Sequence, residues 1–432
     1  MTSQELLERR NAVVPKAMAM NAAVDAAQAR GAIFTTADGK VFIDFSGGIG
    51  VLNAGHCPPS VSKAIADQSK KLMHTFFNLL THEPYVLLAE KLIEILPHGQ
   101  QTKVMMVSSG AEAVENAIKI ARQATGRQGI VCYTGGFHGR TMMGMTLTSK
   151  VGYKLGCGPF APEVYRIPFP DFYHNGRRGQ SIDQFAEQEI ANLTKYFSSV
   201  VAPQNVAAII IEPVQGEGGF YVTPKAYLQA LRKICDQYGI MLILDEVQSG
   251  FGRTGKWAAY DHYDVVPDIS TWAKSMGSGI PIACVMGKAS VMDLAIAGTI
   301  GGTYAGNPVA CAGSLATIEY MQKIDINKKG ERVGKIVHNF FKKLQKECSA
   351  IGDVRGLGAM VGIELVKHND PNQPDTELTK KLVAACMERG LFLISAGVYG
   401  NVIRVLCPLV ISEVLLREGL GIMREELLRL AR

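Results

Sequence analysis

From about residue 60 to 300 the chain alternates short apolar runs with longer stretches of mixed polarity. The apolar runs are KVMMVS (103–108), GIVCYT (129–134), VAAIII (206–211), IMLILD (240–245) and PIACVMG (281–287). The clearest stretch between them is AEAVENAIKIARQAT (111–125), where Val114, Ala117, Ile118 and Ala121 fall at i, i+3, i+4 and i+7 and so share one helix face. Strands that are apolar on both faces and joined by helices predict an α/β fold with a mostly parallel central sheet covered on both sides. Upstream, AIFTTADGKVFIDF places two β-rich runs about Asp38-Gly39, which predicts a hairpin. Beyond about residue 310, long amphipathic helices take over. One strand-like patch lies at VRGLGAMVGIEL (354–365) and another at NVIRVLCPL (401–409). The expected division is an N-terminal segment (1–60) packed with a small α+β domain (311–432), and a large domain (61–310) between them. Within the first patch, GLGAMVG (356–362) has its third glycine displaced from a dinucleotide fingerprint and no helix pattern after it, so it reads as a bent strand.

Composition narrows the classes further. The chain has 432 residues, 47% hydrophobic and 19% charged, as in an ordinary soluble protein with a large core. A net charge of +6 is mild at this length, and KKGERVGK (328–335) reads as a solvated helix face, so no nucleic-acid partner is expected. The start, MTSQELLERR, lacks the regions of a secretory signal, and no apolar run reaches the roughly 18–20 residues that span a bilayer. A cytoplasmic location without membrane contact is the expectation. The nine cysteines form no CxxC pair and sit mostly in apolar surroundings, which predicts free buried thiols and no metal site.

In a doubly wound sheet, ligands bind beyond the carboxyl ends of the strands. Residues with chemistry cluster there. Ser108-Ser109-Gly110-Ala111 opens the best helix, where free backbone N–H groups and the helix dipole form an anion cradle; a plain N-cap has the same sequence. GGFHGR (135–140) holds Phe137, His138 and Arg140 in a flexible turn, with Phe137 either covering a planar ligand or closing the core. EPVQGEGG places Glu212 at a strand end and Glu217 in the loop after it. Asp245 ends five consecutive apolar residues, so its carboxylate is expected to be buried and to need a partner, or else to cap the next helix. Lys274, in TWAKSMGSG (271–279), is either a snorkelling side chain or an amine kept from water for use. Arg404 interrupts the apolar pattern Val402, Ile403, Val405, Leu406, either as a ligand-binding guanidinium or as an edge-strand residue reaching solvent. An anion cradle, a ring cover, a buried acid and a sheltered lysine are the parts that pyridoxal 5′-phosphate (PLP) requires. The acid keeps the pyridine nitrogen protonated, and the lysine holds the cofactor and then serves as a base, helped by a pKa lowered on burial.

The ordered set SSGAEAVENAIKIAR, GGFHGRT, EPVQGEGG, DEVQSGFGRTG, WAKS and GGTYAGNP resembles the class III (ω-) aminotransferases, of the PLP fold-type I group, over nearly the whole chain. Within that family it closely resembles the bacterial 4-aminobutyrate aminotransferases. The resemblance implies that Lys274 carries PLP, that Asp245 meets the pyridine nitrogen and that Gln248 lies near the 3-hydroxyl oxygen. It places Ser109, Gly110 and Ala111 at the phosphate, Phe137 on the ring with His138 adjoining, and Glu212 in support behind them. Thr303 would reach the phosphate of a partner subunit, which implies a homodimer or a dimer of dimers. Arg404 would bind the α-carboxylate of glutamate or 2-oxoglutarate, with Glu217 masking it otherwise; Arg140 would hold the distal carboxylate of 4-aminobutyrate and Ile49 would line the pocket. The implied reaction moves the amino group of 4-aminobutyrate to 2-oxoglutarate by a ping-pong route, giving succinic semialdehyde and glutamate. Alternatives are a preference for 5-aminovalerate, β-alanine, acetylornithine or a diamine, or a PLP aminomutase on the same fold. A transcription regulator built on such a fold would carry an N-terminal DNA-binding domain, for which the short lead leaves no room. The CxxC iron–sulfur site of the mammalian relatives is missing.

Overall fold

The computed structural model describes residues 1–20 and 22–431. Three sheets carry the chain. The first strands are β1 (Gln28–Arg30), β2 (Ile33–Thr35) and β3 (Val41–Asp44); the central ones are β4 (Thr102–Val107), β5 (Gly129–Tyr133), β6 (Val164–Ile167), β7 (Val206–Ile211), β8 (Met241–Asp245), β9 (Ile269–Trp272) and β10 (Ala283–Lys288). The last are β11 (Ile351–Leu357), β12 (Met360–Leu365), β13 (Leu391–Phe392), β14 (Ile394–Ala396) and β15 (Val402–Val405). The central sheet has the order β4-β10-β9-β8-β7-β5-β6.

Each apolar run is buried on both faces because helices cover both. The helix Gly110–Thr125 sets Ala113, Ala117, Ile120 and Ala121 against Ile130, Cys132, Ala208, Ile210 and Ile243 on one side. On the other, the helix Lys225–Tyr238 sets Leu228, Leu231 and Cys235 in the core that holds Val131, Ile209, Leu242 and Leu244. Alternate residues of one strand thus feed two cores. Full burial of each large aliphatic side chain contributes roughly 1.5–3 kcal/mol, so neither face tolerates a polar substitution.

The structure departs from the sequence expectations in three places. PIACVMG is not a parallel strand: β10 runs antiparallel to both β9 and β4. The link from β9 to β10 spans only residues 273–282, too short for the crossover helix that a parallel return needs. The edge strand β6 has no counterpart among the apolar runs; it pairs with β5 alone and is only partly buried, so it lacks a strong apolar signature. Finally, VRGLGAMVGIEL is not one bent strand but a hairpin, β11 and β12, paired up to Leu357↔Met360 about Gly358-Ala359. Gly358 takes φ +55 there, and a Cβ on it would come within 2.3 Å of the Thr254 backbone.

The predicted hairpin about Asp38-Gly39 is present, with Thr35 opposite Val41. Its second strand, β3, pairs in parallel with β13, joining residues near position 43 to residues near 391. Arg404 lies in β15, which is flanked by β12 and β14, so it occupies an interior strand and not an edge. Among the described residues no helix is long and apolar enough to cross a membrane.

Candidate active site

The strand ends build the floor of a cavity of about 390 Å³. After β4, Ser109 caps the helix Gly110–Thr125: its Oγ accepts from the Glu112 N–H at 3.2 Å, while the Ser108 N–H donates to Glu112 Oε2 at 2.6 Å. The next N–H groups, of Gly110 and Ala111, have no acceptor within a helix, and both residues line the cavity at the positive end of the dipole. This is an anion cradle. The following turn closes over it, since a Cβ on Gly139 would stand 2.7 Å from Ala111 Cβ.

Behind the cradle lies a chain of buried ionisable groups. His138, in the turn that follows β5, shares a hydrogen bond of 2.8 Å between Nδ1 and Asp245 Oδ2. The other Asp245 oxygen accepts from the Val247 N–H at 3.1 Å, so this carboxylate both caps a turn and pairs with a ring. Burial alone would lower the His138 pKa, but the Asp245 carboxylate outweighs it and holds the imidazole above its ordinary value. Glu212, at the end of β7, accepts from the N–H groups of Gly216 at 2.9 Å and Phe137 at 3.0 Å. Burial pushes its carboxyl up to about 7.

Lys274 follows β9 by one residue and takes φ +49, a left-handed conformation that a side-chain-bearing residue rarely adopts. The Ser275 hydroxyl ties that turn to the Gly50 carbonyl at 2.8 Å. Burial lowers the Lys274 amine below its ordinary value, against the pull of Glu217 and Asp245. Its neutral form is therefore favoured more than in water.

A second group at the cavity carries arginine–carboxylate chemistry. Arg404 is only 4% exposed and forms an ion pair with Glu217 Oε1. Burial would raise the Glu217 carboxyl, but Arg404 reverses this and holds it below the usual range. The second Glu217 oxygen accepts from the Tyr153 hydroxyl at 3.1 Å. The Tyr153 ring meets Phe137 edge-on at 5.3 Å, and the Arg140 guanidinium stands over its face at 4.7 Å.

The structure brings Ser109, Gly110, Ala111, Phe137, His138, Glu212, Glu217, Asp245, Gln248 and Lys274 into the lining of one cavity. Arg404 stands behind Glu217 as its ion-pair partner. Three expected residues are placed otherwise. Ile49 is 41% exposed with φ +63, and Val51 lines the wall in its neighbourhood; only the Ile49 carbonyl faces inward, accepting weakly from Gln248 Nε2 at 3.5 Å. Arg140 is exposed at the rim, and Thr303 lies on an exposed turn away from this chain's own cavity. Sequence reasoning passes over Tyr153, in SKVGYKLG, because no periodicity or strand end marks it. It also passes over Thr148, whose hydroxyl accepts from the His138 N–H at 3.0 Å.

The residues present fit PLP. The cradle offers N–H groups to a phosphate, Asp245 offers a buried carboxylate, and Gln248 Oε1 is buried without a partner among the described residues. Gly110 is held close, since a Cβ there would approach Val247 at 3.1 Å. A lysine set after a strand of a doubly wound sheet, facing an acid and an anion cradle, defines a PLP-dependent enzyme of the aminotransferase kind. More narrowly, the chain belongs to the class III aminotransferases: the family model described as "Aminotransferase class-III" matches residues 15–427. It is 45% identical to the 5-aminovalerate aminotransferase DavT of Pseudomonas aeruginosa over 98% of either chain. It is 43% identical to the 4-aminobutyrate aminotransferase GabT of Escherichia coli, again over 98% of each. Among solved structures, a PLP-bound amine transaminase from an uncultivated Pseudomonas species superposes with a TM-score of 0.88 at 29% identity, covering 96% of this chain and 97% of that one.

Proposed function

We propose that this enzyme transfers the amino group of 4-aminobutyrate to 2-oxoglutarate in two separate half-reactions, releasing succinic semialdehyde and then glutamate. The observation that carries this reading is the Arg404–Glu217 pair at the cavity wall. A buried guanidinium needs a counter-charge. Glu217 supplies it while the substrate has a single, distal carboxylate, which the exposed Arg140 would bind. An α-carboxylate can take the place of Glu217 on Arg404 with no net change in buried charge, and the planar guanidinium suits it. One pair thus serves two substrates of different charge.

When bound, PLP supplies an aldehyde that takes up the amino group and a ring that draws electrons from the substrate carbon. The protein supplies the rest. Gly110 and Ala111 would offer N–H groups to the phosphate, and Phe137 would cover the ring. Asp245, held by His138 and the Val247 N–H, would pair with the pyridine nitrogen and keep it protonated. Lys274 Nζ, with its proton affinity lowered by burial, takes the proton from the substrate carbon and returns it. Thr303, exposed on its own subunit, completes the phosphate site of a partner in a homodimer. We further propose a cytoplasmic enzyme divided at about residues 60 and 310.

Initial rates with varied donor and acceptor test the reading. Double-reciprocal plots should give parallel lines, and an amino-donor panel at fixed 2-oxoglutarate should rank 4-aminobutyrate first. Intersecting lines would overturn the two-stage scheme. A second reading, 5-aminovalerate as preferred donor, draws on the 45% identity to the Pseudomonas aeruginosa relative; the same panel decides it, because that donor is one methylene longer.

A further inference from the structure

The Glu217 side chain is held between two groups. One carboxylate oxygen pairs with the Arg404 guanidinium, and the other accepts from the Tyr153 hydroxyl at 3.1 Å. Its backbone is fixed separately, the Glu217 carbonyl accepting from the Gly397 N–H at 3.0 Å. The Gly397 carbonyl in turn accepts from Lys150 Nζ at 3.1 Å, three residues before Tyr153. Burial and the Glu217 carboxylate both raise the Tyr153 phenol, so the hydroxyl keeps its proton and remains a donor. The ring has separate duties, with Arg140 over its face and Phe137 at its edge. Hydroxyl and ring therefore touch the two halves of the specificity problem independently.

We propose that Tyr153 is a positioning residue that sets the discrimination between the one-carboxylate donor and the two-carboxylate acceptor, its hydroxyl holding Glu217 on Arg404. This rests on the proposed exchange of Glu217 for a substrate carboxylate on Arg404. An incoming α-carboxylate must displace Glu217, and the phenol hydrogen bond opposes that displacement. A substrate without an α-carboxylate leaves the bond intact. Removing the hydroxyl favours the acceptor; removing the ring as well frees Arg140 and handicaps the donor.

Steady-state kinetics of the PLP-loaded Tyr153→Phe enzyme test this, since in a two-stage reaction kcat/KM for each substrate reports its own half-reaction. The KM for 2-oxoglutarate should fall about 3- to 10-fold with kcat unchanged, the range expected for one lost hydrogen bond to a partly exposed charged group. The KM for 4-aminobutyrate should stay within about twofold. Tyr153→Leu should in addition raise the 4-aminobutyrate KM. Equal changes in both half-reactions, or none, would overturn the proposal. Glu217→Gln separates the two levels of failure. If Glu217→Gln shifts the ratio of the two kcat/KM values and Tyr153→Phe does not, the Tyr153 proposal alone is wrong. If neither shifts it, the Arg404–Glu217 reading falls with it.

Discussion

The two sides of the cavity solve the burial of charge differently. On the floor, Lys274, Asp245, His138 and Glu212 lie at or after the ends of neighbouring strands, and Asp245, His138 and Glu212 find their partners in fixed backbone groups or each other. In the second group, Arg404 is anchored in a strand, but its counter-charge Glu217 rides on a glycine-rich loop and is shared with a tyrosine that ends a short 3-10 turn. A floor of mutually oriented charges costs little reorganisation during reaction, which suits chemistry that is the same in every turnover. In the proposed exchange a counter-charge on a loop gives way to a substrate carboxylate, which would suit a site that admits two different acids. The floor is built to stay and the gate to yield.

The largest expected effect breaks the floor. On the proposed mechanism Lys274→Ala removes both the cofactor-holding amine and the base, and turnover should fall by at least about 10³-fold. The fold should not suffer, because the variant loses a buried amine whose charged form is disfavoured. Assays with 4-aminobutyrate and 2-oxoglutarate, paired with a melting curve, check both halves. Wild-type activity in the variant would remove Lys274 from the chemistry.

Asp245→Asn comes next and asks whether the floor is held by mutual charge. Turnover should drop roughly 10²-fold, as for loss of one preorganised electrostatic partner. The same change should lower the His138 pKa, because the carboxylate is what holds it above the ordinary value. NMR titration of His138 reads this directly; an unmoved pKa would mean that the two side chains are not coupled.

Arg253 joins the two sides, so its loss should damage both. It is fully buried in the loop after Asp245 and forms no ion pair among the described residues; its Nε donates to Asn53 Oδ1 at 3.1 Å and its Nη1 to the Cys407 carbonyl at 3.0 Å, three residues past Arg404. Burial without a paired anion lowers this guanidinium to about 10. Arg253→Met strands those neutral acceptors, and should cost about 1–3 kcal/mol of stability, the penalty for leaving a buried acceptor unpaired, read from the denaturant midpoint. A loss below about 1 kcal/mol would show that the loop and strand hold together without it.

How much of this was legible in the sequence differs between the two sides for a physical reason. Asp245 stood out because a charge at the end of an apolar run is costly wherever the run folds, whereas Lys274 was ambiguous alone and gained its meaning from the anion cradle, ring cover and acid at the other strand ends. The helix start at Ser109-Gly110 was legible from local capping chemistry. Arg404 was not decidable from the chain, since burial followed from β12 and β14 flanking its strand, and strand order is a long-range property. Strand direction is equally silent in a short apolar run, which hid the antiparallel β10. Tyr153 left no mark at all. Its part comes from meeting Glu217, 64 positions away, through one hydroxyl.

The smallest expected effect concerns what stiffens the gate from behind. Arg355 Nε donates to the Gly219 carbonyl at 2.8 Å, two residues from Glu217, and its Nη1 pairs with Glu364 at 2.6 Å. Glu364 in turn lies 3.1 Å from His174 Nε2, whose Nδ1 is 2.6 Å from Asp171. Burial opposes the charged forms, but the mutual pairing wins: His174 is raised to about 9 and Glu364 lowered to about 2. A histidine that holds its proton more tightly when folded stabilises fully below its ordinary value of 6.5, and that contribution is lost as pH climbs through about 9. Glu364 contributes above its ordinary 4.5 and loses the contribution as pH falls toward about 2. The wild-type melting temperature should therefore decline between about pH 6.5 and 9 more steeply than that of His174→Gln, by a difference on the order of 2 °C, because His174 is partly solvated and the chain is long. Parallel melting-temperature curves for the two proteins across that window would mean that His174 does not carry its proton in the fold. The Glu217 loop would then be backed by Arg355 and Glu364 alone.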